Sequence, residues 1–433
     1  MPSEMFYRKT AAAAPLGEAE QRHAVHALFA PWRARPQRVL IIPPDITRAN
    51  SGAGTLTRLI VQHLRAHSPK THIDILPALG THAPMSDHER TDMFGDLPPS
   101  MFKIHNWRTG LVKLGEVPSS FVHHVSQGRL DYSISVEIDE LLVHGRYDLI
   151  ISIGQVVPHE VIGMANGNKN ILVGAGGKDT INKTHFLGAV CNMESILGRA
   201  DNPVRAVFDY AEDHFLQDLP LVYAQTVMAN FPSGLFGMAG LFIGTGHEPF
   251  REAAALSQRL NITMLDAPLS KAVVYLDPRE FKSTWLGNKA IYRTRMAMAD
   301  HGELIILAPG VEMFGEDSEI DRLIRTYGYR GTPATLAAVN HNNELRQNLS
   351  AAAHLIHGSS EGRFRITYAP GKLSQHEIEA VGFNYAPLDD LLKRYDPATL
   401  SPGFNTLAGE QFYFIHNPAL GLWALRSSFT TQS

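Results

Sequence analysis

Short apolar runs alternate in this chain with amphipathic stretches, and the order in which they alternate predicts the architecture. After a helical pattern over 17–36, the run RVLIIP at 38–43 reads as a buried strand. GTLTRLIVQHLRAH at 54–67 repeats its apolar residues at helical spacing, HIDILPAL at 72–79 returns to strand, and DLIISI at 148–153 is a third strand. The first two strands give way to polar loops, Asp45-Ile46-Thr47-Arg48 and Gly80-Thr81-His82-Ala83-Pro84. Strand, polar loop, helix and strand in this order make a parallel α/β sheet, in which ligands gather at the carboxyl ends of the strands.

Residues 100–145 are mixed, and the weak alternation at 130–138 (LDYSISVEI) places them as sheet-edge material. A helical pattern follows at 203–216, then a glycine-rich apolar stretch at 236–244 (FGMAGLFIG). A second α/β pattern starts near 262 with TMLDAP, continues with KAVVYLDP at 271–278 and a helix at about 286–301, and reaches ELIILAPG at 303–310. With 433 residues, the chain exceeds what one hydrophobic core usually serves. We therefore expect an α/β protein of two domains, each a mainly parallel sheet flanked by helices. The change of pattern near 265 sets the expected domains at 1–265 and 266–404.

Composition narrows the class. Hydrophobic residues make up 44% and charged residues 19%, the balance of a chain that buries sizeable cores. A formal net charge of -4 supplies no clustered basic surface, so nucleic acid is not an expected partner. The single cysteine, Cys191, excludes an intramolecular disulfide framework and any multi-cysteine metal site. MPSEMFYRKT has no apolar core of signal-peptide length, and no apolar run approaches the roughly 18 residues of a membrane helix. The expectation is a cytoplasmic protein with no membrane partner. The 21 histidines are the one excess that bears on chemistry, since histidine is both the near-neutral acid or base and the commonest metal ligand.

Three loops that follow strands carry small polar sets: Asp45, Thr47 and Arg48; Thr81 and His82; and His159 with Lys169 and His185. A parallel sheet brings such loops to one crevice. The planar fork of an arginine suits a carboxylate or a phosphate, and a pair of histidines suits proton removal on one side of a carbon and delivery on the other. Each residue also has an ordinary explanation. Arg48 can neutralise Asp45 three positions away, and Lys169 within GNKN reads locally as a solvated turn lysine. Gly174, Gly176 and Gly177 suit backbone packed against a phosphate, although the run fits neither a Walker A loop nor GxGxxG.

Taken together, the loops resemble the nickel-dependent lactate racemase family, whose members bind a nickel-pincer nucleotide. That family shows a D-x-T-R loop, a G-T-H-x-P loop, a P-H pair followed by a cofactor-bearing lysine, and a further histidine. Here these are Asp45 to Arg48, Gly80 to Pro84 and Pro158-His159, with Lys169 ten residues after His159 and His185 sixteen residues after Lys169. The resemblance runs from about 38 to 310 and is weaker in the last 120 residues. It implies racemisation or C2-epimerisation of a 2-hydroxy acid by reversible hydride transfer. Lys169 would carry the nickel-pincer nucleotide through a thioamide and His185 would ligate its nickel, with Thr47, Gly80, Gly174 and Gly176 at the cofactor. His82 and His159 would be the acid/base pair, Arg48 and Lys289 would hold the substrate carboxylate, and Asp45 would orient Arg48. The resemblance also implies cofactor-biosynthesis proteins as partners for maturation, a second domain that closes over the first with the active site in the crevice between them, and a segment 405–433 that packs back on the first domain.

Three departures bear on the substrate. Ala83 stands where the family commonly has a basic residue, Gly163 to Asn168 replaces a GFSGG-like run, and Leu286 replaces a glutamine three positions before the second-domain lysine. These point away from lactate to a larger 2-hydroxy acid such as an aldonate, a dicarboxylate or an aryl-lactate. Two other functions compete: a zinc- or iron-dependent hydrolase or lyase using His82, His159 and His185 as ligands, and a non-catalytic carrier of the nickel nucleotide. The first leaves Lys169 without a task, and the second leaves His82 and His159 without one.

Overall fold

The structure, a computed structural model, describes residues 3–32 and 35–430. The chain forms two compact units, Met1–Thr184 with Leu197–Asn261, and His185–Ile196 with Ile262–Ser433. The fold class is α/β, as the alternation of elements predicts.

The first unit is built on a six-stranded sheet in the order Glu4–Thr10, Phe236–Thr245, Leu221–Asn230, Leu149–Gln155, Arg38–Ile42 and His72–Ile75. The last four strands run parallel, whereas the first two pair antiparallel with their neighbours. The glycine-rich stretch at 236–244 is thus the return strand of a hairpin, turned at Pro232-Ser233-Gly234, where Gly234 takes φ 81. Helix Ala53–His67 turns Leu56, Leu59, Ile60 and Leu64 onto the sheet, the i, i+3, i+4, i+8 stripe of an amphipathic helix, against Val39, Ile41, Ile151 and Ile153. Residues 130–138 are not an edge of this sheet. They lead into Ile134–Asp139, which pairs antiparallel with Leu111–Val117 in a separate two-stranded ribbon.

The second unit holds another six-stranded sheet, in the order Asn384–Tyr385, Arg365–Pro370, Met298–Ala308, Leu269–Tyr275, Glu410–Ile415 and Gly403–Leu407. All pairs are parallel except the last. The segment from about 405, expected to pack back on the first domain, instead supplies strands to this sheet. EQFYFI at 410–415 turns Phe412 and Phe414 into a core with Val273, Ile305, Leu307 and Tyr395, so its apolar face is consumed within the second unit.

The dividing line also differs from the one expected near 265. Thr263–Leu265 pairs in parallel with Trp423–Leu425, which draws the chain into the second unit from Ile262. His185–Ile196 joins the same unit, where Glu194 bridges Arg295 at 3.3 Å and Arg363 at 2.5 Å. The helix expected at about 286–301 is two short ones, Thr284–Gly287 and Lys289–Tyr292, and Met298 already begins a strand. Among the described residues, no helix is long and apolar enough to cross a membrane.

Candidate active site

The polar loops of the first unit sit where its parallel strands end. Strand Arg38–Ile42 runs into Pro43, Pro44 and Asp45, which caps a 3-10 turn over Ile46–Ser51. Strand His72–Ile75 is continued to Ala78, whose N–H donates to the Pro43 carbonyl at 2.8 Å, so the two loops leave the sheet side by side. This register brings Asp45 and His82 together. One carboxylate oxygen of Asp45 accepts from the Thr47 N–H at 3.1 Å and its hydroxyl at 2.5 Å, and the other lies 2.5 Å from His82 Nδ1. Burial alone would raise the Asp45 carboxyl, but the hydrogen bonds from His82 and Thr47 outweigh it and hold the group below its ordinary value. An ionised Asp45 takes the His82 proton at Nδ1 and leaves Nε2 with the lone pair.

Asp45 was expected to orient Arg48, and the structure assigns it elsewhere. Both oxygens are engaged by Thr47 and His82, while Arg48 is linked to Asp45 through the backbone, its N–H donating to the Asp45 carbonyl at 3.0 Å. The short side chain of a cap residue points back along its own turn, so the group that arrives from the neighbouring strand meets it first.

His159 sits on a two-residue hairpin, Pro158–His159 paired with Gly163–Met164, just after the central strand Leu149–Gln155. Its Nδ1 accepts from the Val161 N–H at 3.1 Å, which puts the ring proton on Nε2. Glu160 stands 4.0 Å from the same ring. The two histidines therefore carry opposite tautomers: His82 presents an acceptor nitrogen and His159 a donor.

Lys169 is reached through the turn Gly163 to Asn168 and is anchored by its neighbour. The Asn170 amide donates to the Ile42 carbonyl and the Ser152 hydroxyl, both at 3.0 Å, so the turn is fastened to the ends of two central strands. The Lys169 side chain is half-buried rather than solvated, and its amine is pulled down to about 8 by burial first and then by Arg48, with Glu160 and Asp45 acting the other way and Arg205 adding to the depression. Lys169, Arg48, Asp45 and Glu160 thus share one electrostatic neighbourhood. Thr47 and Arg48 are exposed at its rim.

Gly80 and Gly174 are tied directly, the Gly80 N–H donating to the Gly174 carbonyl at 2.8 Å, which fixes the His82 loop against the segment after Lys169. Gly174 and Gly176, expected at the cofactor, are explained by protein packing. A Cβ at Gly174 would lie 2.7 Å from that of Ala78, and one at Gly176 would lie 1.9 Å from the Leu172 carbonyl oxygen. Strand Ile134–Asp139 runs alongside this segment, and buried His105 joins Asp139 to the Gly176 carbonyl at 2.8 and 3.1 Å, a structural histidine rather than a catalyst.

His185 lies on helix Lys178–Val190, in the part of that helix that belongs to the second unit. Lys289 opens helix Lys289–Tyr292 in the second unit, with its amine 5.7 Å from the Phe281 ring. Among the described residues no three His, Cys, Asp or Glu side chains are placed to share a metal ion.

Residues 14–198 match the lactate racemase N-terminal domain. The match covers less than half of the chain, and over that segment the chain is similar to this domain. The lactate racemase of Lactiplantibacillus plantarum is 25% identical over 151 residues, which cover 34% of this chain and 32% of that relative, so the matched segment spans about a third of its length. The fold extends further than that segment. A crystal structure of a protein from Thermotoga maritima superposes with a TM-score of 0.77 at 22% identity, covering 96% of this chain and 100% of the other. The lactate racemase apoprotein from Thermoanaerobacterium thermosaccharolyticum gives 0.70 at 16% identity, over 93% and 92%. The family match takes in Asp45, Thr47, Arg48, Gly80, His82, His159, Lys169, Gly174, Gly176 and His185, and it ends before Lys289.

Three neighbours of the site escaped the sequence pattern: Glu160, Gln225 and Arg205. Only Arg205 left a signal, an arginine beside Val204 and three positions before Phe208 on the inner stripe of an amphipathic helix.

Proposed function

We propose that this protein is an isomerase that racemises or epimerises a 2-hydroxy acid at C2 and carries a nickel-pincer nucleotide on Lys169. The observation that carries the reading is the pair of histidines with opposite tautomers, His82 set by Asp45 and His159 set by the Val161 N–H, on the loops that present Lys169. A carrier of the nucleotide has no use for such a pair.

The residues present fit the cofactor. An amine lowered to about 8 is far more often neutral near pH 7 to 8 than that of an exposed lysine, and the neutral form is the one that makes a thioamide. Arg48 beside it suits a phosphate or carboxylate. His185 would be the protein's ligand to the nickel, an imidazole nitrogen suiting that metal. When bound, the nucleotide would supply an acceptor and donor of hydride at C2, chemistry that no side chain offers.

The chain's own residues do the rest. Arg48 and Lys289 would hold the substrate carboxylate, which fixes C2 and its hydroxyl. For one enantiomer, His82 Nε2 accepts the hydroxyl proton while the ionised Asp45 stabilises the imidazolium that forms. His159 would donate a hydrogen bond from Nε2 to the substrate oxygen on its side, and the opposite enantiomer would present its hydroxyl to that ring instead of to His82. The exposed Ala83 beside His82 leaves room where the family commonly has a cation, in keeping with a 2-hydroxy acid larger than lactate.

Matured protein, co-produced with the cofactor-biosynthesis proteins, is incubated in D2O with single enantiomers of lactate, an aldonate, a dicarboxylic hydroxy acid and an aryl-lactate. The expected result is loss of optical rotation or inversion at C2 with the C2 hydrogen kept as protium. Deuterium appearing at C2 at the rate of inversion overturns the hydride route. Full cofactor loading with no inversion of any of these acids overturns the activity.

A further inference from the structure

Behind Lys169 lies a cation that the active-site motifs do not contain. Arg205, on helix Pro203–Phe215, is 3% exposed, and its guanidinium holds the turn that leads to the lysine. Nη2 donates to the Met164 carbonyl at 2.8 Å and to the Asn166 carbonyl at 3.2 Å, and Nη1 donates to the side-chain oxygen of Asn168. The guanidinium lies over the ring of Phe250, 3.9 Å from its centre, and Nε has no hydrogen-bond partner among the described residues. The turn it holds is a strained one. Asn166 and Gly167 both take φ 66, and buried Gln225 accepts from the Asn166 amide at 2.8 Å and the Gly167 N–H at 3.3 Å. Asn168 is gripped from its other end, donating to Asp209 at 2.7 Å.

A buried arginine costs several kcal/mol unless its donors are satisfied, and here the groups it touches are neutral. Asp209 and Glu212 act on it without contact, and burial still draws it down to about 10. A buried cation with neutral partners disfavours a second positive charge nearby, and the residue after its Asn168 contact is Lys169.

We propose that Arg205 is a positioning residue for Lys169: it fixes the turn that presents the amine and sets how readily that amine accepts an acyl group. The charged groups that face Lys169 are Arg48 and Arg205 on one side of the balance and Glu160 and Asp45 on the other. Its biological meaning rests on Lys169 as the cofactor anchor, whereas the relation between the two residues does not.

The test labels cofactor-free protein with trace acetic anhydride between pH 6 and 11 and reads each lysine by peptide mass spectrometry. The Lys169 Nζ–C bond forms, the anhydride C–O bond breaks, acetate leaves with the electron pair and the amine proton passes to buffer. In the wild-type chain Lys169 is expected to titrate about two pH units below an ordinary lysine amine. Arg205→Met is expected to move the Lys169 midpoint up by half a unit or more, which lowers labelling at pH 7 by about threefold, and Arg205→Lys, which keeps the charge, to recover part of it. A residue with a merely structural role would lower the melting temperature and leave that midpoint in place. Should Arg205→Met not fold, Asn168→Ala, which removes one contact of the clamp, is expected to shift the midpoint the same way. A wild-type Lys169 that titrates as an ordinary lysine amine, or an unmoved midpoint in the folded variants, overturns the proposal. An absent cofactor mass on Lys169 of matured protein would instead overturn the anchor and leave these midpoints standing.

Discussion

Asp45 and His82 lie 2.5 Å apart, carboxylate oxygen to Nδ1, although 37 residues of sequence separate them. The contact exists because the strands that precede them are neighbours in register, Arg38 with His72 and Ile41 with Ile75, and the loops continue that pairing through Pro44 and Ala78. Asp45→Asn keeps a cap for the Thr47 N–H but removes the charge, so His82 loses both its fixed tautomer and the partner of its imidazolium. Turnover of matured enzyme should fall by about a hundredfold or more while the cofactor mass on Lys169 stays. Intact mass together with a rotation assay checks this, and loss of the adduct along with the activity would make Asp45 a structural residue only.

His82 and Lys169 should separate in the same assay. His82→Ala removes the acceptor nitrogen from an exposed loop, so the protein should fold, carry the cofactor and lose activity by roughly two to four orders of magnitude. Lys169→Ala should fold and show no added mass at all. A His82→Ala enzyme of full activity would end the assignment of His82 as base.

The three strand-and-loop units and their polar sets were legible because parallel strands buried on both faces leave unbroken apolar runs, as RVLIIP and DLIISI do. Which polar group meets which was not legible. The Asp45–His82 contact depends on register, and periodicity does not encode register between strands that are not consecutive in a hairpin. The C-terminal strands, which the resemblance alone placed against the first domain, also depend on pairing. EQFYFI is apolar enough to pack on either unit, and only its pairing with Leu269–Tyr275 decides. Gly174 and Gly176 looked like phosphate-binding glycines because close approach of backbone to a ligand and to other backbone leave the same residue in the sequence.

Gly167 is a glycine whose replacement should tell. It takes φ 66, and a Cβ there would lie 2.9 Å from the Phe250 ring and 3.2 Å from Arg205 Nη1. Both the left-handed backbone and the contact oppose Gly167→Ala, which should destabilise the chain by about 1–3 kcal/mol in urea unfolding. Gly234→Ala also takes a left-handed glycine but meets nothing within 4 Å, so it should cost less. Equal losses for the two would mean that the packing around Gly167 has no part in the effect.

The acid side of the stability curve should be set in part by the second unit. His354 is buried with its Nε2 at 3.0 Å from the Tyr329 hydroxyl, and burial first, then neighbouring His357, push it down from 6.5 to about 3. Its folded value lies below its unfolded one, so above pH 6.5 both states hold the neutral ring and the group has no effect. As the pH falls from 6.5 towards 3, the unfolded chain takes up a proton that the folded chain refuses, and stability is lost through that window and no further below it. One proton gives a slope of up to about 1.4 kcal/mol per pH unit. His354→Gln retains an acceptor for Tyr329 without a titrating ring, so its urea midpoint should decline less steeply than that of the wild type between pH 6 and 4. Trp285, whose ring centre is 4.2 Å from that of His354, reports the transition by its fluorescence. Parallel slopes for the two proteins would show that the buried ring finds its proton in the folded state after all.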